Sequence, residues 1–230
     1  MKNKLIYSML VVLALSACGK NGVQKNVKLG TAADSASYAI GVFIGAQNKQ
    51  QVEQVPGGKE LNLEIMSAGF RKSMIGEEPM TMEEANNIIG MFIEAAASRE
   101  AQANLEEGNA YLEKNKNKAG VHVTPSGLQY EIITEGTGVK PGPEDQVEVH
   151  YHGTLIDGTV FDSSVENGQP VTFPLNAVIV GWSEALQLMS VGSKWKIYIP
   201  SNLAYGEQGY YGIGPNSALI FEVELLGIIN

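Results

Sequence analysis

At 230 residues, with 44% hydrophobic and 18% charged side chains, the chain is long enough for one or two domains with a sizeable core. A formal net charge of −9 with no basic stripe excludes nucleic acid as an evident partner. The single cysteine excludes an internal disulfide, so stability has to come from packing.

Lys2 and Lys4 precede an almost unbroken apolar run from Leu5 to Leu15, which Leu15-Ser16-Ala17-Cys18 closes. This run is too short for the about 20 residues of a membrane-spanning helix, and the small residues after it suit a cleavage site. Residues 1–17 therefore read as a lipoprotein-type signal peptide and Cys18 as the lipid attachment site. Several acyl chains on Cys18 would anchor the chain stably to a membrane. Gly19 in place of Asp points, by analogy with enteric lipoproteins, to the periplasmic side of the outer membrane. Loss of the two leader lysines takes the net charge from −9 to −11. Residues 18–31 are polar, lack periodicity and read as a tether.

Residues 32–120 read as helical. Asp34 or Ser35 is positioned to cap a helix running to about Gln50, and Gly41 and Gly45 form a small face suited to a second helix crossing closely. A second helix is predicted from Asn62 to Ile75, with Leu63, Met66, Phe70 and Met74 on one stripe and Gly76 ending it. The third starts at a capping box, Thr81-Met82-Glu83-Glu84. Met82, Ala85, Ile88, Ile89, Phe92, Ile93 and Ala96 then recur at helical spacing. Beyond Ala97 the helix-favouring sequence loses its apolar face, as in a helix that bridges domains through solvent, with a possible bend at Gly108 and an end near Lys118.

Residues 121–230 change to strand periodicity. Val147, Val149 and Tyr151 alternate with Glu148, His150 and His152. Trp195, Ile197 and Ile199 share one face of a later strand, and Leu219, Phe221, Val223 and Leu225 share one face of the last. A short helix is predicted from Trp182 to Met189. The fold class is α+β: an N-terminal all-helical domain, a long connecting helix and an antiparallel sheet wrapped around a short helix.

Inside this half lies Tyr151-His152-Gly153-Thr154-Leu155-Ile156-Asp157-Gly158-Thr159-Val160-Phe161-Asp162-Ser163-Ser164, followed by Val178-Ile179-Val180-Gly181-Trp182. Aromatics gather around one carboxylate, and no activated nucleophile accompanies them. With Ala204-Tyr205-Gly206 and Phe221-Glu222-Val223-Glu224-Leu225-Leu226, this order and spacing resemble the FKBP-type peptidyl-prolyl cis-trans isomerases over residues 124 to 228. The helical half resembles their Mip and FkpA-like bacterial branch, in which N-terminal helices interlock two chains into a dimer.

The resemblance implies isomerase activity on proline-containing polypeptides, without cofactor or metal, in the folding of exported proteins. Tyr151, Asp162 and Tyr205 occupy the family's catalytic positions. Phe161, Val178, Ile179, Trp182, Ile213 and Phe221 occupy its substrate-binding positions, with Trp182 as the floor. The Tyr205 hydroxyl and the Ile179 backbone N–H would each hydrogen-bond a substrate carbonyl. Asp162 would either face the rotating carbonyl or orient Tyr151. Taken singly, such aromatics are ordinary core. Jointly, at the family's spacing, they describe a pocket.

Three positions depart from the family pattern. Asn167 stands where many members carry Arg, removing a charged partner for Asp162. Val171 stands where the human relatives have Phe, which is expected to narrow one wall. The flap Tyr210-Tyr211-Gly212-Ile213-Gly214-Pro215 contains Gly214, which should loosen it.

His150 and His152 lie on one strand face but lack further metal ligands in sequence. Ser163-Ser164 has no histidine base at recognisable spacing, and Glu222 and Glu224 point outward as solvating charges. A holdase chaperone with incidental isomerase activity is the alternative reading.

Overall fold

The computed structural model describes residues 27–229, so the expected signal peptide and the expected lipid attachment site Cys18 lie outside the described residues. The chain divides into two compact units, one up to Gln50 and one from Gln51 onward.

Helix α1 (Ala32–Val52) carries the first unit. Its start lies earlier than Asp34 or Ser35: the Thr31 hydroxyl accepts from the Asp34 N–H at 3.1 Å while the Asp34 carboxylate accepts from the Thr31 N–H at 2.9 Å. Asp34 thus completes a reciprocal cap instead of initiating one. A side chain at Gly41 or Gly45 would meet nothing within 4 Å among the described residues.

Helix α2 (Leu63–Met74) starts where Asn62 Oδ1 accepts from the Glu64 and Ile65 N–H groups at 2.9 and 3.2 Å. It ends at Gly76 with φ +74°, a left-handed cap that suits glycine. Helix α3 (Met82–Asn115) starts at the expected capping box, with both reciprocal bonds formed between Thr81 and Glu84. Its 34 residues make it about 51 Å long at ~1.5 Å per residue.

The sheet is antiparallel in the order β1 (Val121–Val123), β2 (Gln129–Thr134), β6 (Lys194–Ile199), β7 (Leu219–Ile229), β3 (Gln146–Leu155), β4 (Val160–Ser163). A further strand, β5 (Val171–Pro174), pairs with the first half of β3 where β4 pairs with its second half. The central ladder runs from Gln146 opposite Ile229 to Leu155 opposite Leu219. Short helices α4 (Ser164–Asn167) and α5 (Val180–Leu188) complete the fold.

Alternation divides the sheet into two apolar faces. Trp195, Ile197 and Ile199 of β6 join Leu219, Phe221, Val223 and Leu225 of β7 in the main core, with Trp182, Ala185 and Leu186 of α5 packed among them. Tyr198 and Ile220, one residue out of phase and directly opposite each other, face the other side. There they pack with Ala218 and Leu112 of α3.

The polar half of α3 is therefore no solvated bridge, contrary to its sequence pattern. Leu112 and Gly108 bury against the back of the sheet, and Asn115, 1% exposed, donates to Gln129 at 3.0 Å. Gln129 in turn donates to the Leu112 carbonyl at 2.9 Å. Few apolar residues suffice because polar pairing carries the rest of the contact. Gly108 lies inside one uninterrupted helix, and a Cβ there would lie 3.0 Å from the Ala218 Cβ, so the glycine permits close approach. The helix ends at Asn115, three residues before Lys118, and closes in turns at Lys116 and Lys118.

Gly108→Val is expected to lift α3 off the sheet and cost about 1–3 kcal/mol, as overpacking does. Urea denaturation followed by tryptophan fluorescence reads this directly, because both tryptophans, Trp182 and Trp195, lie in the sheet core. An unchanged midpoint would refute the close contact.

Candidate active site

One cavity of about 670 Å³ opens between β3, β4, the α5 entrance and the loop before β7. Trp182 is its floor, 4% exposed. The indole meets Tyr151, Phe173 and Phe221 nearly edge-on, at centroid separations of 5.2, 5.7 and 5.2 Å and interplanar angles of 82°, 88° and 79°. Phe161 meets Phe221 in the same way at 5.4 Å and 85°. Each contact sets the positive edge of one ring against the negative face of another. The Trp182 Nε1–H has no acceptor among the described residues, so packing alone fixes the ring.

Phe161 and Asp162 are sequence neighbours, yet both line the cavity. Strict alternation would send them to opposite faces. The register between β3 and β4 explains the exception: Gly153 pairs with Asp162 but Thr154 pairs with Val160, leaving Phe161 as the extra residue of a bulge. Asp162 Oδ2 thereby receives the Tyr151 hydroxyl at 2.5 Å. Among the described residues Asp162 is the only charged side chain in the lining, and its partner is the neutral Tyr151 hydroxyl in place of a cation.

Val178 and Ile179 form the wall at the α5 entrance. Ile179 is the N-cap residue, extended at φ −60° and ψ 149°, and its carbonyl accepts from the Trp182 and Ser183 N–H groups. Its own N–H donates to no described residue. Tyr205 faces the cavity with its ring stacked on Tyr210 at 4.8 Å and 12°. Ile213, 6% exposed, closes the far side.

All nine expected pocket residues, catalytic and substrate-binding alike, thus line one cavity. Phe173, Ala177, Tyr210 and Tyr211 line it as well, unforeseen as site residues. Phe173 was legible in principle, because it alternates with Thr172 and shares a face with Val171. Val171 packs against the core and not on the cavity, so the wall it was expected to alter is formed by Phe173.

Gly214 does not loosen the flap. A Cβ there would sit 2.9 Å from Glu100 Oε1 and 3.0 Å from Asn104 Nδ2, so the glycine lets the flap seat tightly on α3.

The fold also brings together pairs that spacing concealed. His150 Nδ1 lies 3.1 Å from Ser164 Oγ, and His152 Nδ1 lies 3.0 Å from Ser163 Oγ. Neither serine is a free nucleophile. Ser164 is fully buried and bonded to the Tyr151 backbone, and Ser163 caps α4 through the Glu166 N–H. Glu222 lies within ion-pair distance of Lys194 and Lys196, at 3.6 and 4.0 Å. Among the described residues no cluster of His, Cys, Asp or Glu has metal-binding geometry.

The model of the FKBP-type peptidyl-prolyl cis-trans isomerase matches residues 138–226, and that of the domain amino-terminal to it matches residues 33–132. The outer membrane protein MIP of Legionella longbeachae is 40% identical, covering 99% of this chain and 98% of that protein. The chain belongs to the FKBP-type peptidyl-prolyl cis-trans isomerases. The 22 kDa FKBP-type isomerase of Escherichia coli is 46% identical to this one over 84% of the chain and 94% of its own length. The crystal structure of FkpA from Escherichia coli superposes with a TM-score of 0.68 at 31% identity, covering 87% of this chain and 98% of that one. The protein is thus a peptidyl-prolyl cis-trans isomerase of the Mip and FkpA kind, and these comparisons do not favour the holdase reading.

Burial raises the ionisation of the Tyr151 hydroxyl well above its usual 10.0, and its bond to Asp162 raises it further. Desolvation likewise raises Tyr205, with smaller contributions from Tyr210 and Asp162. Both hydroxyls therefore remain protonated donors at neutral pH. The stability linked to these protonated forms is complete below about pH 10 and is lost as pH rises through the folded-state values. In an absorbance titration near 295 nm, Tyr151→Phe is expected to remove one late-titrating phenol. A variant with the same late amplitude as wild type would contradict the placement of Tyr151.

Proposed function

We propose that the cavity around Trp182 is the isomerase site and that it acts by moulding an X-Pro amide in its twisted state. The observation that carries this reading is an aromatic box whose one charged side chain is spent on orienting a ring hydroxyl. Rotation about the amide faces a barrier of ~18–20 kcal/mol because resonance gives the C–N bond double-bond character. Before proline both isomers are populated, and exchange takes tens to hundreds of seconds. No bond need break; the site has only to bind the twisted amide better than either planar form.

A twisted amide has lost resonance and carries a less dipolar carbonyl, so an apolar, water-excluding box favours it over the planar ground state. The proline ring rests on Trp182 between Phe161, Phe173 and Phe221. The unspent N–H of Ile179 and the hydroxyl of Tyr205 hold substrate carbonyls. Asp162 acts through Tyr151, fixing that ring as a wall. Tyr205→Phe is expected to lower kcat/KM on a proline tetrapeptide about 3- to 10-fold, the equivalent of one hydrogen bond. A protease-coupled assay measures it, and a wild-type chain no faster than spontaneous exchange would defeat the reading.

The protein is further proposed to be a lipid-anchored homodimer on the periplasmic side of the outer membrane that assists the folding of exported proteins. The relative named as an outer membrane protein and the lipobox-like Leu15-Ser16-Ala17-Cys18 support the location. Dimerisation is supported by apolar stripes that stay exposed in one chain: Phe43 of α1, Ile65 and Met74 of α2, and Ile88, Ile89 and Met91 of α3. Large apolar side chains exposed in such number on each unit suit burial in an interface. The open Gly41 and Gly45 suit close helix crossing between copies. Light scattering of the chain from residue 19 should give the dimer mass, and labelled palmitate should be incorporated by wild type but not by Cys18→Ser. A monomer, or labelled Cys18→Ser, would overturn the respective part.

A further inference from the structure

The flap is held at both its tip and its return, by different parts of the chain. At the tip, the Tyr210 N–H donates to the Ile213 carbonyl at 3.0 Å and the Ile213 N–H donates back to Tyr210 at 2.7 Å. This small loop directs Ile213 and Tyr210 at the cavity, and Tyr210 stacks on Tyr205. Its return, Gly214-Pro215-Asn216, lies against α3. Asn104 Nδ2 donates to the Pro215 carbonyl at 2.8 Å, and Asn216 Nδ2 donates to the Ala101 carbonyl at 3.4 Å. The Asn216 N–H donates to Gly206 at 2.8 Å, tying the return to the residue after Tyr205. Asn216 adopts φ +54°, a left-handed conformation that this bonding maintains.

We infer that Asn104, on the long helix and remote from the reacting amide, is a positioning residue for the isomerase pocket. Its amide clamps the return of the flap, so that Ile213 and the Tyr210–Tyr205 stack stand at fixed positions when substrate enters. The inference rests on reading the Trp182 cavity as the isomerase site. Ordering one residue costs about 1–2 kcal/mol, whereas one hydrogen bond returns about 0.5–1.5 kcal/mol. The two side-chain bonds alone do not offset the ordering of a return of three residues, so the flap also relies on the Asn216 N–H bond to Gly206, and removing the shorter side-chain bond loosens it. Gly214 is part of the same clamp, since any side chain there would push away Glu100 and Asn104. A helix that appears in sequence to be only a connector thus forms part of the catalytic apparatus.

The test compares Asn104→Ala and Asn104→Asp with wild type in the whole chain. Aspartate preserves size but offers the Pro215 carbonyl no donor. Two measurements are made: kcat/KM on a proline tetrapeptide, and hydrogen exchange at the Ile213 amide relative to the Val223 amide of the central strand. Both variants are expected to lose roughly 3- to 10-fold in kcat/KM and to exchange Ile213 several-fold faster relative to Val223, as a released flap requires. Leu112→Ala, which weakens the back-face packing of the same helix, should lower the denaturation midpoint while leaving both measurements within about twofold of wild type, as damage outside the flap requires.

Asn104→Ala matching wild type in both measurements would overturn the inference. So would an equal effect of Leu112→Ala, which would assign the change to general loosening. A wild-type chain without isomerase activity would defeat the reading of the site itself, and relative exchange at Ile213 would still decide whether Asn104 holds the flap.

Discussion

A protein interior closes on itself unless something rigid keeps it open, and the ring cage on Trp182 is what holds this cavity open. Flexible aliphatic side chains would relax into the space, because close packing is the favoured state of a core. Aromatic rings meeting edge-to-face have few ways to collapse. Three rings meet the indole near right angles, and a fourth buttresses Phe221. They come from β3, β5, β7 and β4, so the cage cannot exist until the sheet has formed. The catalytic shape is therefore a property of the whole domain.

The carboxylate is admitted to this apolar box by a local exception to the sheet rule. The bulge at Phe161 turns two consecutive residues toward the cavity, one a wall and the other an acceptor. Asp162 then spends a lone pair on Tyr151, in keeping with a reaction that transfers no group. The nearby serine and histidine pairs illustrate the contrast. Their distances are compatible with nucleophile activation, but the serine oxygens are occupied by strand backbone and a helix cap.

Periodicity made the main elements legible before any coordinates. Alternation in Val147-Glu148-Val149 and Trp195-Lys196-Ile197 assigned the core faces, because a strand with one buried face has little freedom in its pattern. The Thr81 and Glu84 pair fixed the start of α3 for an equally local reason. The pocket residues were readable because the family's motifs hold them at fixed spacing. What escaped was decided by tertiary partners. Phe173 alternates with Thr172 over a strand of only four residues, which marks an inward face but not a pocket wall. The bulge is a relation between two strands, and neither sequence alone encodes it visibly. Gly214 looked like a source of freedom because the helix that crowds it is about 110 residues earlier in the chain.

Helix α3 was misread for the most instructive reason. A stripe without apolar residues normally means solvent, yet here the Asn115 amide donates to Gln129 and Gln129 donates to the Leu112 carbonyl in the interior, with Asn115 Oδ1 left without a partner among the described residues. The same helix changes task along its length. Ile88, Ile89 and Met91 expose an apolar face in its first half, whereas Asn104, Gly108 and Leu112 engage the flap and the sheet in its second. From residue 89 to residue 104 the rise is about 22 Å at ~1.5 Å per residue. A helix is stiff over that length, so its exposed apolar face and the rim of the pocket are joined by one continuous hydrogen-bonded rod. The polar character of its second half follows from that position. Asn104 meets a loop carbonyl and Asn115 a buried amide, which leucine could not do, while Leu112 supplies the apolar contact between them.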